Sequence, residues 1–131
     1  MNNEFEAKKI KLFTDLDAWK EGHKLVLEVY DVTTQFPREE QFGLSNQLRR
    51  AAVSITSNIA EGFSRNSYKE KVQFYTTALG SITEIQNQLL IAKDVGYLTA
   101  DVYSRISDQA IRVHKITNGL IKHSRTIIHN S

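Results

Sequence analysis

The chain has 131 residues, with 17 Lys plus Arg against 15 Asp plus Glu and a formal net charge of +2. Its 40% hydrophobic content is enough for the core of one domain, so disorder is excluded outside the ends; at this length roughly two-thirds of the unfolded chain's surface is buried on folding. The absence of cysteine excludes a disulfide framework, thiolate metal sites and a cysteine nucleophile.

One proline and six glycines offer too little turn punctuation for a β-rich domain, which points to long helices with short connections. Residues 1–14 read as a partly flexible N-terminal extension, with Met1 to Lys11 mixing acidic, polar and basic residues where a secretory signal would need an apolar run. From Asp15, the residues Trp19, Val26, Val29, Thr33 and Phe36, with Gly22 between, recur at helical steps. This predicts a helix over 15–35, capped by Asp15 or Asp17 and stopped by Pro37. Leu44, Leu48, Ala51, Ile55, Ile59 and Gly62 or Phe63 form a second stripe, predicting a helix over 39–64 whose small residues allow close contact.

Ser67 stands three residues before Glu70, the spacing of a capping box in which the glutamate answers the serine's own amide, and a third helix is predicted over 67–95. Its stripe of Val72, Tyr75, Leu79, Ile82, Gln86 and Leu89 is flanked by Phe74, Ala78, Ile85, Leu90 and Ala92. So wide a face is expected to meet several neighbours and to leave Phe74 and Tyr75 available to a partner or sister subunit. Gly96 can take the left-handed conformation that ends a helix, and Thr99 can cap the next, predicted over 99–124 along Val102, Ile106, Ala110, Val113, Ile116 or Thr117, and Leu120. Residues 125–131 are expected to fray. Short connections make successive helices antiparallel, so residues 15–124 are expected to form an all-α, up-down-up-down four-helix bundle.

Bundles of this kind can house di-iron sites built on Glu-x-x-His, but none of His23, His114, His123 or His129 has a glutamate three residues earlier. The glycines form neither a P-loop nor a dinucleotide fingerprint, and nothing resembles a nucleophile elbow. The sequence therefore predicts no catalytic residue, no metal and no cofactor. No segment approaches the roughly 20 apolar residues of a membrane span, so no membrane partner and a cytoplasmic location are expected.

Two polar patterns stand out. Arg50, Ser54, Asn58, Glu61 and Arg65 line up at steps of three and four, with both charge signs, beside the apolar stripe of the second helix. Such a stripe fixes packing within the bundle, where Arg50 or Arg65 can pair with Glu61 and Asn58 can reach a neighbouring helix, or it forms a subunit contact. After Asp108 there is no acidic side chain, while Arg112, Lys115, Lys122 and Arg125 are joined by His114, His123 and His129. Cations near a helix C-terminus gain about 0.3–1 kcal/mol each from the macrodipole, which accounts for one or two of them and not for the whole series. Arg65, Lys69 and Lys71 form a second group at the turn before the third helix, whereas Lys8, Lys9, Lys11, Lys20 and Lys24 are diluted by acids and read as a solvated face. No aromatic residue follows Tyr103, so base stacking by the C-terminal segment is not expected.

The run Leu48 to Arg65, LRRAAVSITSNIAEGFSR, followed by Ser67, Lys69, Glu70, Phe74, Ala78, Gly80, Ser81, Glu84 and Leu89, closely resembles the bacterial 23S rRNA intervening-sequence proteins. Trp19 and the segment Phe36, Pro37, Glu40, Phe42, Gly43, Leu44 fit the same pattern, and the resemblance spans about residues 15–124. One departure is Thr56, where members of the family often have proline, which puts any proline-linked kink of the second helix in doubt. The resemblance implies a four-helix bundle. It extends to the accessory variability determinant of diversity-generating retroelements, a basic pentamer that binds nucleic acid and a reverse transcriptase. On that likeness the chain is expected to form a homo-oligomer, a pentamer, and to bind RNA or DNA through Arg112, Lys115, Lys122, Arg125, Arg65, Lys69 and Lys71. Arg50, Ser54, Asn58 and Glu61 are then expected in packing or at a subunit interface. A scaffold for a protein partner, such as a reverse transcriptase, is the alternative.

Overall fold

The computed structural model describes residues 9–130, so most of the expected extension, including Lys8, and Ser131 of the expected tail lie outside the described residues. Four helices follow in order: α1 Asp17–Thr33, α2 Leu44–Ser64, α3 Tyr68–Asp94 and α4 Ala100–His129, with single 3-10 turns at Phe13–Asp15 and Arg38–Glu40. Each helix packs against two others, in the pairs α1–α2, α2–α3, α3–α4 and α4–α1, while the diagonal pairs have no Cα atoms within 8 Å. This is the expected antiparallel all-α four-helix bundle.

The core is built from β-branched and leucine side chains separated by alanines. Leu25 and Val29 of α1, Leu48, Ile55 and Ile59 of α2, Ile82, Ile85 and Leu89 of α3, and Ile106 and Val113 of α4 are all fully buried, with Ala52, Ala78, Ala92 and Ala110 between them. The buried face of α1 is Ala18, Gly22, Leu25, Val29, Val32 and Thr33; Gly22, Val29 and Thr33 of the predicted stripe are buried, as is Phe36 beyond the helix, while Trp19 and Val26 are only partly buried. Trp19 is too bulky for the small-residue seam and lies at the rim, where its ring stacks on His23 at 4.7 Å between centroids. At Gly22 a Cβ would stand 3.2 Å from the Thr56 methyl, so α1 and α2 approach closely here. Helix α2 runs unbroken through Thr56, where a proline would have removed a backbone donor.

The helix ends show which local signals act. Asp15 caps the turn before α1, not α1 itself: its carboxylate accepts the Lys11 and Leu12 amides at 3.0 Å each. Helix α2 starts at Leu44 rather than Glu39, because Arg38–Glu40 is a separate turn. Glu40 then reaches forward and accepts the Leu44 amide at 3.0 Å with one oxygen and the Tyr97 hydroxyl at 2.8 Å with the other. The start of α2 is thereby tied to the α3–α4 turn, and the Phe36 and Tyr97 rings meet at 5.3 Å beside it. Ser67 accepts the Glu70 amide as predicted, but the Glu70 carboxylate takes the serine hydroxyl rather than its amide. At Gly96 φ is +89°, and the bonds Tyr97 N–H to Ala92 O and Gly96 N–H to Lys93 O close α3 in a Schellman motif. Helix α4 continues five residues past the predicted boundary, to His129, with Ile121 and Ser124 buried.

Tyr75 is 2% exposed, so it is not available to a partner as the sequence suggested. Its ring lies against the bare α carbon of Gly62, where a Cβ would stand 2.7 Å from Tyr75 Cε1 and 3.0 Å from Phe74 Cβ. Gly62→Ala should therefore destabilise the protein by about 1–3 kcal/mol through overpacking, while Gly119→Ala, which has open space around it on α4, should stabilise by up to about 1 kcal/mol; urea unfolding measures both. The two hydrogen bonds to Glu40, first from the Leu44 amide and then from Tyr97, hold its carboxyl below the ordinary glutamate value of 4.5. A depressed carboxyl stabilises the fold above about pH 4.5 and loses that contribution as pH falls through its folded-state value, so Glu40→Gln should flatten the fall in melting temperature between pH 5 and about pH 3.

Candidate nucleic-acid interface

Antiparallel connection brings three segments distant in sequence to one end of the bundle: the residues before α1, the α2–α3 turn and the last turns of α4. Ile10 and Leu16 share a cavity wall with Phe63, Tyr68, Leu120 and His123, which confirms the meeting. The two basic groups predicted from sequence therefore converge. Divided at its middle, this half of the bundle carries Lys9, Lys11, Lys20, Lys24, Arg65, Lys69, Lys71, Lys115, Lys122 and Arg125 against Asp15, Asp17, Glu21, Glu61 and Glu70, two bases for each acid. The other half carries Arg38, Arg49, Arg50, Lys93 and Arg105 against Glu28, Asp31, Glu39, Glu40, Glu84, Asp94, Asp101 and Asp108. The bundle is positive at one end and negative at the other, with Arg112 near its waist.

On α4, Arg112, Lys115, Lys122 and Arg125 are all exposed. At 1.5 Å per residue they extend over roughly 20 Å, and at about 100° per residue the first three share one outward face while Arg125 lies further round. The side chains of Lys115, Lys122 and Arg125 make no hydrogen bond or ion pair among the described residues. Arg112 is partly engaged: with Lys24 and a hydrogen bond from Gln109, its charge helps hold the Glu21 carboxyl below its ordinary value, the Gln109 bond being the largest cause.

The turn group divides differently. Lys69 is exposed and without a partner among the described residues. Arg65 is committed within the chain, paired with Glu61 at 2.9 Å and lying 4.6 Å over the Phe74 ring. Lys71 caps the end of α2: its ammonium donates to the Phe63 carbonyl at 2.6 Å and to that of Gly62 at 3.5 Å. It lies 5.3 Å from the Phe63 ring and 5.6 Å from that of Tyr68, and burial lowers its pKa. Such a lysine satisfies carbonyls that a helix C-terminus leaves open.

The polar stripe of α2 is shared between jobs. Ser54 crosses to α3, with its hydroxyl 2.9 Å from that of Ser81. Asn58 does not cross; its amide donates back to the Ser54 carbonyl at 2.8 Å and hydroxyl at 3.1 Å, orienting that bridge. Glu61 takes Arg65 and not Arg50. Arg50 is exposed beside a groove of about 550 Å³ lined also by Tyr30, Arg49 and Val53, and makes no polar contact among the described residues. Ser54 and Asn58 thus serve packing inside the chain, and Arg50 is left outward.

Sequence reasoning missed the aromatic content of the basic end. Helix α4 contributes no ring after Tyr103, but Phe63, Tyr68 and Tyr75 from α2 and α3 face its last turns across a cavity of about 380 Å³. The signal was present as the spacing Phe63, Tyr68, Tyr75 flanking a helix reversal, and became legible once the antiparallel pairing of α3 with α4 was known. Among the described residues, no group of three or more His, Asp or Glu stands close enough to hold a metal ion, and no helix is long and apolar enough to cross a membrane.

These features define an all-helical bundle with a polarised surface and a basic, aromatic-walled end. Residues 14–119 match the 23S rRNA-intervening sequence protein family, and the chain belongs to it. A crystal structure from Bacteroides thetaiotaomicron, described as a protein of unknown function from the S23 ribosomal protein family, is similar in fold with a TM-score of 0.75. The two chains are 20% identical, and the match covers 80% of this chain and 98% of the other, a likeness that bears on the fold alone. No curated protein matches the chain.

Because Lys71 caps α2 and Lys69 caps nothing, Lys71→Met should cost about 1–2 kcal/mol in urea unfolding, whereas Lys69→Met should stay within about 0.5 kcal/mol of the parent.

Proposed function

We propose that the chain is a non-enzymatic, self-associating bundle that holds RNA or DNA against its basic end through phosphate contacts, largely without regard to sequence. The observation that carries this reading is the convergence of two sequence-distant basic groups at one end, where Lys69, Lys115, Lys122 and Arg125 have no partner among the described residues. Free cations gathered on one surface attract polyanions at long range, and each phosphate they meet releases counterions. Lys115, Lys122 and Arg125 carry most of the phosphate contact, with Lys69 beside them and Arg112 extending the track toward the waist; Arg65 and Lys71 position the turn that presents Lys69.

Self-association is supported by the outward face of α3. Between Val72 and Ala92 that helix has one charged residue, Glu84, in a chain that is 24% charged, and Gly80, Leu90 and Ile91 are exposed on it. A long surface with so little charge fits contact with a second copy better than contact with water. A ring of five would raise the net charge from +2 to about +10 and align the basic ends. The same face would suit a different polypeptide, which is the alternative.

Filter binding of RNA and duplex DNA over a salt series, on protein whose mass is fixed by light scattering, tests both halves. Neutralising Arg112, Lys115, Lys122 and Arg125 to Gln should reduce the slope of log affinity against log salt by roughly 3 to 4, at about 0.7–0.9 per phosphate contact. Arg38→Gln with Arg49→Gln at the opposite end should leave it unchanged. No binding at low salt removes the nucleic-acid role, and a monomer unaffected by Ile91→Lys removes the assembly.

A further inference from the structure

We infer that the cavity between the start of α3 and the end of α4 is a subsite for one unstacked nucleobase of a single-stranded nucleic acid whose phosphates lie on the surrounding cations. This rests on the nucleic-acid reading above and adds to it a contact with the base itself.

The cavity is an open cleft of about 380 Å³, near the lower end of the roughly 300–1,000 Å³ usual for small-molecule sites and large enough for a base with its sugar. Its walls combine three properties a base requires. Tyr68, 38% exposed, and the half-buried Phe63 offer aromatic surface for stacking. Lys71 brings a cation to the wall, and with two of its donors turned to the Phe63 and Gly62 carbonyls it keeps a third for an acceptor on the base edge. Tyr75 is 2% exposed and lines the same cavity, yet its hydroxyl has no hydrogen-bond partner among the described residues. The ring is buried but the hydroxyl itself is not sealed from solvent, so a molecule entering the cavity can take the place of water at it. Burial pushes this phenol up to about 12, so it stays protonated and can donate at any working pH.

The surroundings decide between a base and some other flat apolar molecule. His123 lies at the cavity wall between Lys122 and the buried Ser124, and Lys69 follows Tyr68 directly, so a strand that places one base inside lays its neighbouring phosphates on free cations. A base held in a duplex has its faces covered by its neighbours and cannot enter; one splayed from a single strand can.

A single-stranded RNA carrying 2-aminopurine, whose fluorescence falls on stacking, tests the assignment in the full-length protein. At matched salt it should bind roughly tenfold more tightly than an abasic strand of equal length or the same sequence in a duplex, with quenching. Tyr68→Ala should remove that tenfold and the quenching, yet leave the abasic strand's affinity and salt slope unchanged. Tyr75→Phe, which keeps the packing, should weaken the base-bearing strand alone by several-fold. Equal affinity for base-bearing and abasic strands, indifferent to Tyr68→Ala, overturns the subsite while the phosphate reading stands; failure to bind any strand at low salt overturns both. Quenching of free 2-aminopurine ribonucleotide as strong as that of the strand overturns the assignment to a strand and makes the cavity a nucleotide site.

Discussion

At Gly62 the missing side chain lets the Tyr75 ring lie directly on the backbone of α2, and the geometry of the basic end depends on that contact. The turn between Ser64 and Tyr68 is too short to set the alignment of two long helices by itself, so the ring-on-backbone seat, the Ser54–Ser81 bridge and the Lys71 cap fix it together. With α2 and α3 in register, Arg65 is held over Phe74, Lys69 is turned outward, and Phe63, Tyr68 and Tyr75 form one wall facing the end of α4. Any residue larger than glycine at 62 would have to move that wall.

The distribution of charge is a consequence of the same topology. Helices α2 and α4 end where α1 and α3 begin, so the macrodipoles largely oppose one another and cannot account for a strongly positive end. What remains is side-chain charge. The net value of +2 averages an acidic end, where Glu40 is spent on the Leu44 amide and Tyr97, with a basic end where several cations have nothing to pair with. A net charge describes solubility; the separation of its two signs by the length of a bundle describes how a polyanion would approach.

Much of the fold was legible in the sequence because the signals were local. Pro37, the Ser67 cap and Gly96 mark turns through backbone sterics and side-chain hydrogen bonds that need no tertiary context, and the 3-to-4 periodicity of α2 and α4 located their core faces. The errors lie where distant residues decide. On α1 the stripe was right at Gly22, Val29, Thr33 and Phe36 and wrong at Trp19, which carries more hydrophobic weight than Ala18 although Ala18 is the residue that is buried. Glu40 was read as helical because its carboxylate's reach to Leu44 and to Tyr97, 57 residues away, is not visible in the local pattern. Of the candidate site, the identity of the cations was legible. That Lys71 and Arg65 are committed within the chain, and that aromatic walls complete the basic end, depended on the pairing of helices.

The four helices are unequal in length: α1 has 17 residues and α4 has 30, a difference of about 20 Å at 1.5 Å per residue. Part of that excess falls at the basic end, where the last turns of α4 run beside α3 and are covered on the α1 side by the chain around Ile10 and Leu16 instead of by a fourth helix. A region with fewer packed neighbours opens locally at lower free energy than the rest of a domain. Amide exchange should therefore be fastest in the final turns of α4 and slowest around Leu48, Ile55 and Ile82. A ligand bridging α3 and α4 would slow the former without touching the latter, so that binding is registered as a change in local breathing and leaves the overall shape as it was.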